Sequence, residues 1–424
     1  MNRKRLLQSK KLGHAKNFTP VNATRKGKIP NRAGSVVALV LLVVVILSII
    51  GGGLLSLGLH SRIFAIRTTS EITARTAADA GLAKAVFEMN EKLKVKPWND
   101  SVLPQVTNEA LPNCDAVFSY TVTKDGDNGY IVESVGKSNQ AERKVRGALP
   151  LQGPFEYAIF TQGDLRLKNG ATVNWYNYDT DERRLSIGTN SIEPVSIDLK
   201  NGATVNGNVV VGPGGDADVV INAIWATITG ETYAAAERYE LAPVTVPQQL
   251  QELPSGGTIE ESTTINSSGK YDEINLNSGS IIIIDGAVSL YVLGDVTLKN
   301  SAELQVVDAD TNPDASLTLY LAGDVEVKNS GVVNNLAGDP KKIKIYGLNS
   351  CRSIILKNGS SFYGAIYAPN ADVEMMNSAD AFGAVVAKSF EQKNSATFNY
   401  DASLRDVNEN EECVHFVVKQ WSEQ

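Results

Sequence analysis

Leu298-Lys299-Asn300-Ser301, Val327-Lys328-Asn329-Ser330 and Leu356-Lys357-Asn358-Gly359 are one phrase written three times, with 29 residues from each asparagine to the next. The phrase also stands at Leu167-Lys168-Asn169-Gly170, Leu199-Lys200-Asn201-Gly202 and Gln392-Lys393-Asn394-Ser395, and Met376-Asn377-Ser378 is a degenerate seventh copy. Spacings are 32 residues in the early pair and 29, 29, 19 and 17 in the later run, with a long gap from Lys200 to Lys299. Before each asparagine, apolar residues alternate with polar ones, as Leu165 and Leu167 do with Asp164, Arg166 and Lys168. That is the period of a strand.

Asn and Gly tolerate left-handed φ, so Asn169, Asn201, Asn300, Asn329, Asn358, Asn377 and Asn394 are predicted as equivalent corners where short strands turn. Short strands recurring with like corners predict a right-handed β-solenoid over residues 151–405, whose stacked coils would set the asparagines one above another in a ladder. The helix-friendly Thr232–Tyr239, followed by Pro243, Pro247 and Pro254, is predicted as part of an insertion near 222–260, laid over the coils. The irregular spacing keeps an antiparallel β-sandwich as the alternative.

Upstream of the repeats the period is also two. Ala116–Val122, Tyr130–Val135 and Arg143–Leu149 read as antiparallel strands of a small sheet within 97–150, and Lys124–Gly129, with its Asp-Gly and Asn-Gly pairs, reads as a hairpin rather than a calcium loop. Further back the period becomes helical: Ala78, Leu82, Ala85, Met89 and Leu93 form one stripe of an amphipathic extension over 62–96, ended by Pro97 and Asn99-Asp100. Before it lies an uncharged run, Ala33 to Leu59. Its 25 residues from Ser35 rise roughly 37 Å, enough to cross a hydrocarbon layer of about 30 Å, so 33–61 is predicted as a single transmembrane helix and not a cleaved signal peptide. The glycine triplet Gly51-Gly52-Gly53 predicts a local bend or melting in that span. The fold class is therefore mainly β with a long N-terminal α-helix.

Residues 1–32 carry ten Lys or Arg and no acid, while the whole chain has net charge −7. Such a basic arm before the span stays in the cytoplasm, and all that follows Arg62 lies outside. The acidic remainder argues against nucleic acid as a partner. Cys114, Cys351 and Cys413 give no metal-ligand spacing; one bridge, Cys351 with Cys413, is weighed against three buried free thiols. His14, His60 and His415 are too scattered for a triad or a metal cluster, and no cofactor is expected. Asp308, Asp310, Asn312 and Asp314 place oxygens at alternate positions as a calcium loop would, but Pro313 stands where a turn glycine is wanted. Trp175, Tyr176 and Tyr178 are candidates for stacking on a glycan, or for closing an end of the stack. The six repeated lysines fit a solvated edge better than a phosphate cradle.

Asn31-Arg32-Ala33-Gly34, the Val- and Leu-rich helix, and Ala74-Arg75-Thr76-Ala77-Ala78-Asp79-Ala80-Gly81-Leu82 resemble the N-terminal region of PilX-type pilus assembly proteins. Phe362–Ala371, Phe382–Ala387 and Phe398–Asp401 resemble the C-terminal repeat domain often joined to such helices. The resemblance implies a minor pilin-like or envelope-anchored structural component of the bacterial inner membrane, with other pilin-like or secretion-system subunits as partners and Gly34-Ser35 as the processing position. Pilins of this kind carry a glutamate five residues after the cleaved glycine, and Leu39 stands there, which argues against a bulk filament subunit. The expected function is thus a non-enzymatic structural or assembly component. The alternatives are a carbohydrate-binding adhesin and a membrane-tethered polysaccharide-degrading enzyme; three or more carboxylates gathered on one face would favour the enzyme. The tail 406–424 carries no motif.

Overall fold

The computed structural model describes residues 35–126, 129–177 and 185–423; the basic arm 1–32, Gly34 and Tyr178 lie outside the described residues. The chain divides at Thr69/Ser70 into two compact units. Mainly β, it has among the described residues one long helix, α1 (Ser35–Leu93), and 32 strands. In the first unit every described helix side chain is exposed, including Leu39, Ile46, Leu55 and Phe64. The run is long and apolar enough to cross a membrane. The helix continues unbroken through Gly51-Gly52-Gly53, where the sequence predicts a bend or melting. In lipid an unbonded backbone group costs more than glycine's poor helix propensity, so the helix is the cheaper state.

In the second unit α1 gains a buried face. Ala74, Ala77, Ala78, Leu82, Ala85, Met89 and Leu93 are nearly inaccessible, and all but Ala74 cluster with Phe118, Tyr120, Val132, Val145 and Leu149 of an antiparallel sheet. The sheet comprises β1 (Gln105–Ala110), β2 (Val117–Lys124), β3 (Gly129–Ser138) and β4 (Ala141–Gln152), joined as a meander. The close fit needs glycine on both sides. A Cβ on Gly136 would meet the Ala74 carbonyl oxygen at 2.0 Å, and one on Gly81 would meet Ser134 Oγ at 2.3 Å. The helical stripe is therefore covered by the chain's own sheet, and Leu82→Glu would unseat the helix from it.

The tail is structured. His415–Phe416 and Lys419–Glu423 both pair with β4, and Asn90 exchanges two hydrogen bonds with the Phe416 backbone, at 3.1 and 2.7 Å. The C-terminus thus returns to the small sheet after the repeats have ended.

The repeats form a 26-stranded sheet in which every strand pairing is parallel. Each strand from Thr258 to Val333 pairs with the strand three further on, so the chain visits three faces per coil. Parallel pairing excludes the antiparallel sandwich. Ser361–Met376 wraps all three faces without a loop, pairing in turn with 332–333, 344–346 and 353–357. Coils without loops explain the spacings of 19 and 17; coils with loops at 307–315 and 334–342 give 29.

Coil order is not chain order. The last coil, Asp380–Asp401, stacks directly on the first: Val385 on Ile159, Phe390 on Leu165, and Phe398 on Val173. The chain thus starts in the middle of the stack and builds one way to Ala234. It then crosses over through 235–257 and builds back from Thr258. The strands Ile221–Ile224, Thr227–Ile228 and Thr232–Ala234 complete a coil, so the insertion predicted at 222–260 begins only after Ala234, and Thr232–Tyr239 is not helical. Inside, like sits on like: Ile274, Val296, Val325, Ile354 and Val373 form one inward column.

Candidate functional surfaces

Each of the three outer faces carries a different chemistry. The first is charged. Lys299, Lys328, Lys357, Met376, Lys393, Lys168 and Lys200 stand in one outward column. Two residues earlier in each coil run Glu326, Ile355, Glu374, Glu391, Arg166 and Asp198. Four carboxylates do share this face, and lysines pair with three of them: Lys357 lies 2.8 Å from Glu326, Lys168 and Lys393 lie 3.1 and 3.0 Å from Glu391, and Lys200 lies 3.0 Å from Asp198. Hydrogen bonds from Lys328 and Lys357 hold the Glu326 carboxyl below its usual range. For Glu391 burial is the largest influence and pushes upward, but Lys393 and Lys168 together outweigh it, and its pKa is also lowered. Glycosidic cleavage wants an acid kept protonated by a raised pKa, and these two are shifted the other way.

At the corner beside the lysines, the seven asparagines adopt left-handed φ of 52 to 58°. Their amides form one chain of hydrogen bonds: Asn329 donates to Asn300 (3.1 Å), Asn358 to Asn329 (3.0 Å), Asn377 to Asn358 (2.9 Å), Asn394 to Asn377 (2.9 Å), Asn169 to Asn394 (3.1 Å) and Asn201 to Asn169 (3.1 Å). Along the ladder each donating amide gives one of its two N–H groups to the next asparagine's carbonyl oxygen.

The second face is polar and uncharged along Thr397, Thr172, Thr204 and Thr227, with Asn399, Asn174 and Asn206 in the next outward column. Tyr363 and Phe382 stack at 4.2 Å between ring centroids, and the Tyr176 ring closes edge-on against Phe382 at 5.0 Å while its hydroxyl donates to the Gly338 carbonyl at 2.9 Å. Trp175 packs on Tyr400 and under the Arg405 guanidinium. Trp175 thus packs against the chain itself, while Tyr176 stays 44% exposed beside Phe382.

The third face is covered. Tyr320, Tyr346 and Tyr367 point outward yet are buried: Glu412 and Cys413 of the tail lie beside Tyr320 and Tyr346, and the crossover residues Tyr239, Leu241, Val246 and Leu253 pack against the core. Tyr367 donates to the Ala242 carbonyl at 2.7 Å, and Asn190 holds the Tyr239 backbone by two hydrogen bonds, at 2.8 and 3.0 Å. Cys413 sits against the Tyr367 hydroxyl, and burial pushes its thiol up to about 12. Cys351 lies in the core beside Gly347 and is pushed up to about 12 by burial as well. Cys114 is exposed, and all three are free; the weighed Cys351–Cys413 bridge does not form, since the two thiols have different neighbours.

The calcium candidates form a turn. Asp308 accepts from the Thr311 amide (2.8 Å), Asn312 donates to Asp285 (2.9 Å) and accepts from the Asp314 amide (3.2 Å). Among the described residues no group of three or more His, Cys, Asp or Glu could hold a metal ion.

The family described as a domain of unknown function, DUF7305, matches residues 227–407, from the outermost coil through the crossover to the coil that stacks on the first. Among solved structures, an ice-binding protein DUF3494 domain from Shewanella frigidimarina is similar at 12% identity and TM-score 0.33, covering 58% of this chain and 94% of that one. The competence-associated pilin ComZ from Thermus thermophilus is similar at 13% identity and TM-score 0.23, covering 84% and 98%. The glycosylated ice-binding protein LeIBP from an Arctic yeast is similar at 13% identity and TM-score 0.26, covering 58% and 91%. No curated protein matches.

Proposed function

We propose that this chain is a membrane-anchored, pilin-like structural component that displays a right-handed β-solenoid outside the bacterial inner membrane. One observation carries the reading: α1 is exposed and apolar through Leu59, and from Ser70 onward its small-residue face is seated on an antiparallel sheet of the same chain. The resemblance of 31–93 to PilX-type proteins supports it. So do three-face coils held by an asparagine ladder, a rigid scaffold suited to display. The ten cations of 1–32 would hold that arm in the cytoplasm.

Protease added to spheroplasts tests the arrangement. Everything beyond Arg62 is expected to be digested from outside while 1–32 survives; survival of the solenoid with loss of the arm would overturn it. The carboxylate column is the one feature that favours a polysaccharide-acting enzyme. Lysine pairing of three of its four carboxylates favours a structural role, and turnover of a polysaccharide that Glu374→Gln or Glu391→Gln abolishes would reverse that preference.

A further inference from the structure

Several columns of the stack change residue type at the coil 221–234, although Ile221 still stands on Ile197 and Thr227 on Thr204. Ile224 stands on Lys200, at the end of the lysine column. The next residue, Trp225, follows in the position that Asn201 holds one coil earlier, keeps the left-handed φ of 51°, and accepts from the Gly202 amide at 2.6 Å. Inside, Ala223 stands on Leu199, Ile228 on Val205 and Ala234 on Val211. The three inner partners are completely buried, whereas Ala223 and Ala234 are exposed and Ile228 is half-exposed. Trp225 is 83% exposed, Ile224 47% and Tyr233 43%.

A left-handed φ costs a bulky residue energy that Asn avoids. A tryptophan held there with most of its surface in water is not explained by packing within the coil. Each strand of this coil pairs on one side only among the described residues, so three short strands present unpaired backbone beside an apolar patch. Natural sheets guard such edges with charge, proline or a covering segment, and the crossover covers the outward side of the third face instead.

The charges say what fits. Residues 212–234 contain Asp216, Asp218 and Glu231 and no Lys or Arg. A second copy meeting this end with its own would set like charges together. One offering its opposite end would bring Glu252, Glu260, Glu261, Asp272 and Glu273 against a single Lys270. Both self-pairings are repelled.

We propose that the outer edge of residues 221–234 is a strand-addition site for an extended segment of another protein, apolar at alternate positions and flanked by Lys or Arg. Main-chain hydrogen bonds would extend the ladders, Trp225 and Ile224 would cover the segment's apolar side chains, and the three acids would face its cations. The inference does not rest on the membrane reading, because it uses only the geometry of the stack's end.

The test uses the full chain in detergent and a labelled peptide alternating valine and threonine between lysines, followed by fluorescence anisotropy. Saturable binding is expected. It should weaken about tenfold with Trp225→Asn and again with Asp218→Lys plus Glu231→Lys, and it should vanish when alternate peptide nitrogens are methylated. Trp225→Asn installs the residue the corner holds elsewhere, so an unchanged melting curve shows that the coil is intact. Absence of saturable binding, or binding indifferent to Trp225→Asn and to N-methylation, overturns the proposal. Self-association of the chain that Trp225→Asn abolishes overturns it too, making a second copy the occupant.

Discussion

Leu82 and Leu298 are both buried leucines, but they are buried by different arrangements. Leu298 lies between Leu276 and Val327 in a column where neighbouring coils supply nearly the same residue. Leu82 lies on a helix against Gly147, with no counterpart elsewhere in the chain; a Cβ on Gly147 would come within 3.1 Å of it. In the stack, a contact is repeated, so an error in one coil is shared among neighbours that still match. In the helix–sheet layer each contact is made once and depends on glycine at both close approaches. Stability should therefore be concentrated in few positions in the layer and spread thinly in the stack.

The largest expected effect breaks the layer and spares the stack. In Gly136→Val the new Cβ would lie 2.0 Å from the Ala74 oxygen and 2.4 Å from the Ala78 nitrogen, both backbone atoms. Neither can rotate away, so a cost of about 3 kcal/mol or more is expected. Limited proteolysis should then cut within 70–93 while the 258–401 coils stay resistant. Simultaneous loss of both would show that layer and stack melt as one.

A smaller effect is expected inside the stack. Asn329 donates to Asn300 and accepts from Asn358, so Asn329→Leu loses two ladder bonds and strains a left-handed corner, together about 2 kcal/mol. Asn201 stands next to the Trp225 coil, where the ladder ends, and donates only to Asn169. Asn201→Leu should cost less in thermal melts, and equal costs would mean that the ladder bonds contribute nothing.

The smallest effect separates the two regions by pH. His415 is held below its ordinary value of 6.5 mainly by burial, with Glu240 and a backbone hydrogen bond at Cys413 opposing. The folded state disfavours its cation, so its contribution is present above 6.5 and is lost as pH falls through the lower folded value. Glu326 and Glu391, with pKa values lowered below 4.5, keep the stack's ion pairs until pH falls further. Wild-type protein should lose melting temperature between about pH 6.5 and 5, and His415→Gln should lose less. Identical pH curves would remove His415 as the cause.

Much of this was legible from residues 1–424 read as a string. A helix declares itself through the period of Ala78, Leu82, Ala85, Met89 and Leu93, and a corner through the residue types that accept its φ at least cost. Both are local properties, fixed within a turn or a coil. For the same reason all seven asparagines could be named before their ladder was seen. What lay beyond reach was every decision between distant segments. Nothing in the spacing says that the coil ending at Asp401 stacks on the one beginning near Ile159, because a parallel ladder accepts any coil with matching alternation. The fate of the helix stripe was equally hidden. Its apolar face shows that it will be covered, but the covering surface is chosen by where Gly81 and Gly136 let two backbones come within reach. The sequence alone determined the elements, the corners and the apolar span; only the tertiary structure decided coil order, which faces are covered and which edge stays bare, because those depend on contacts between residues hundreds of positions apart.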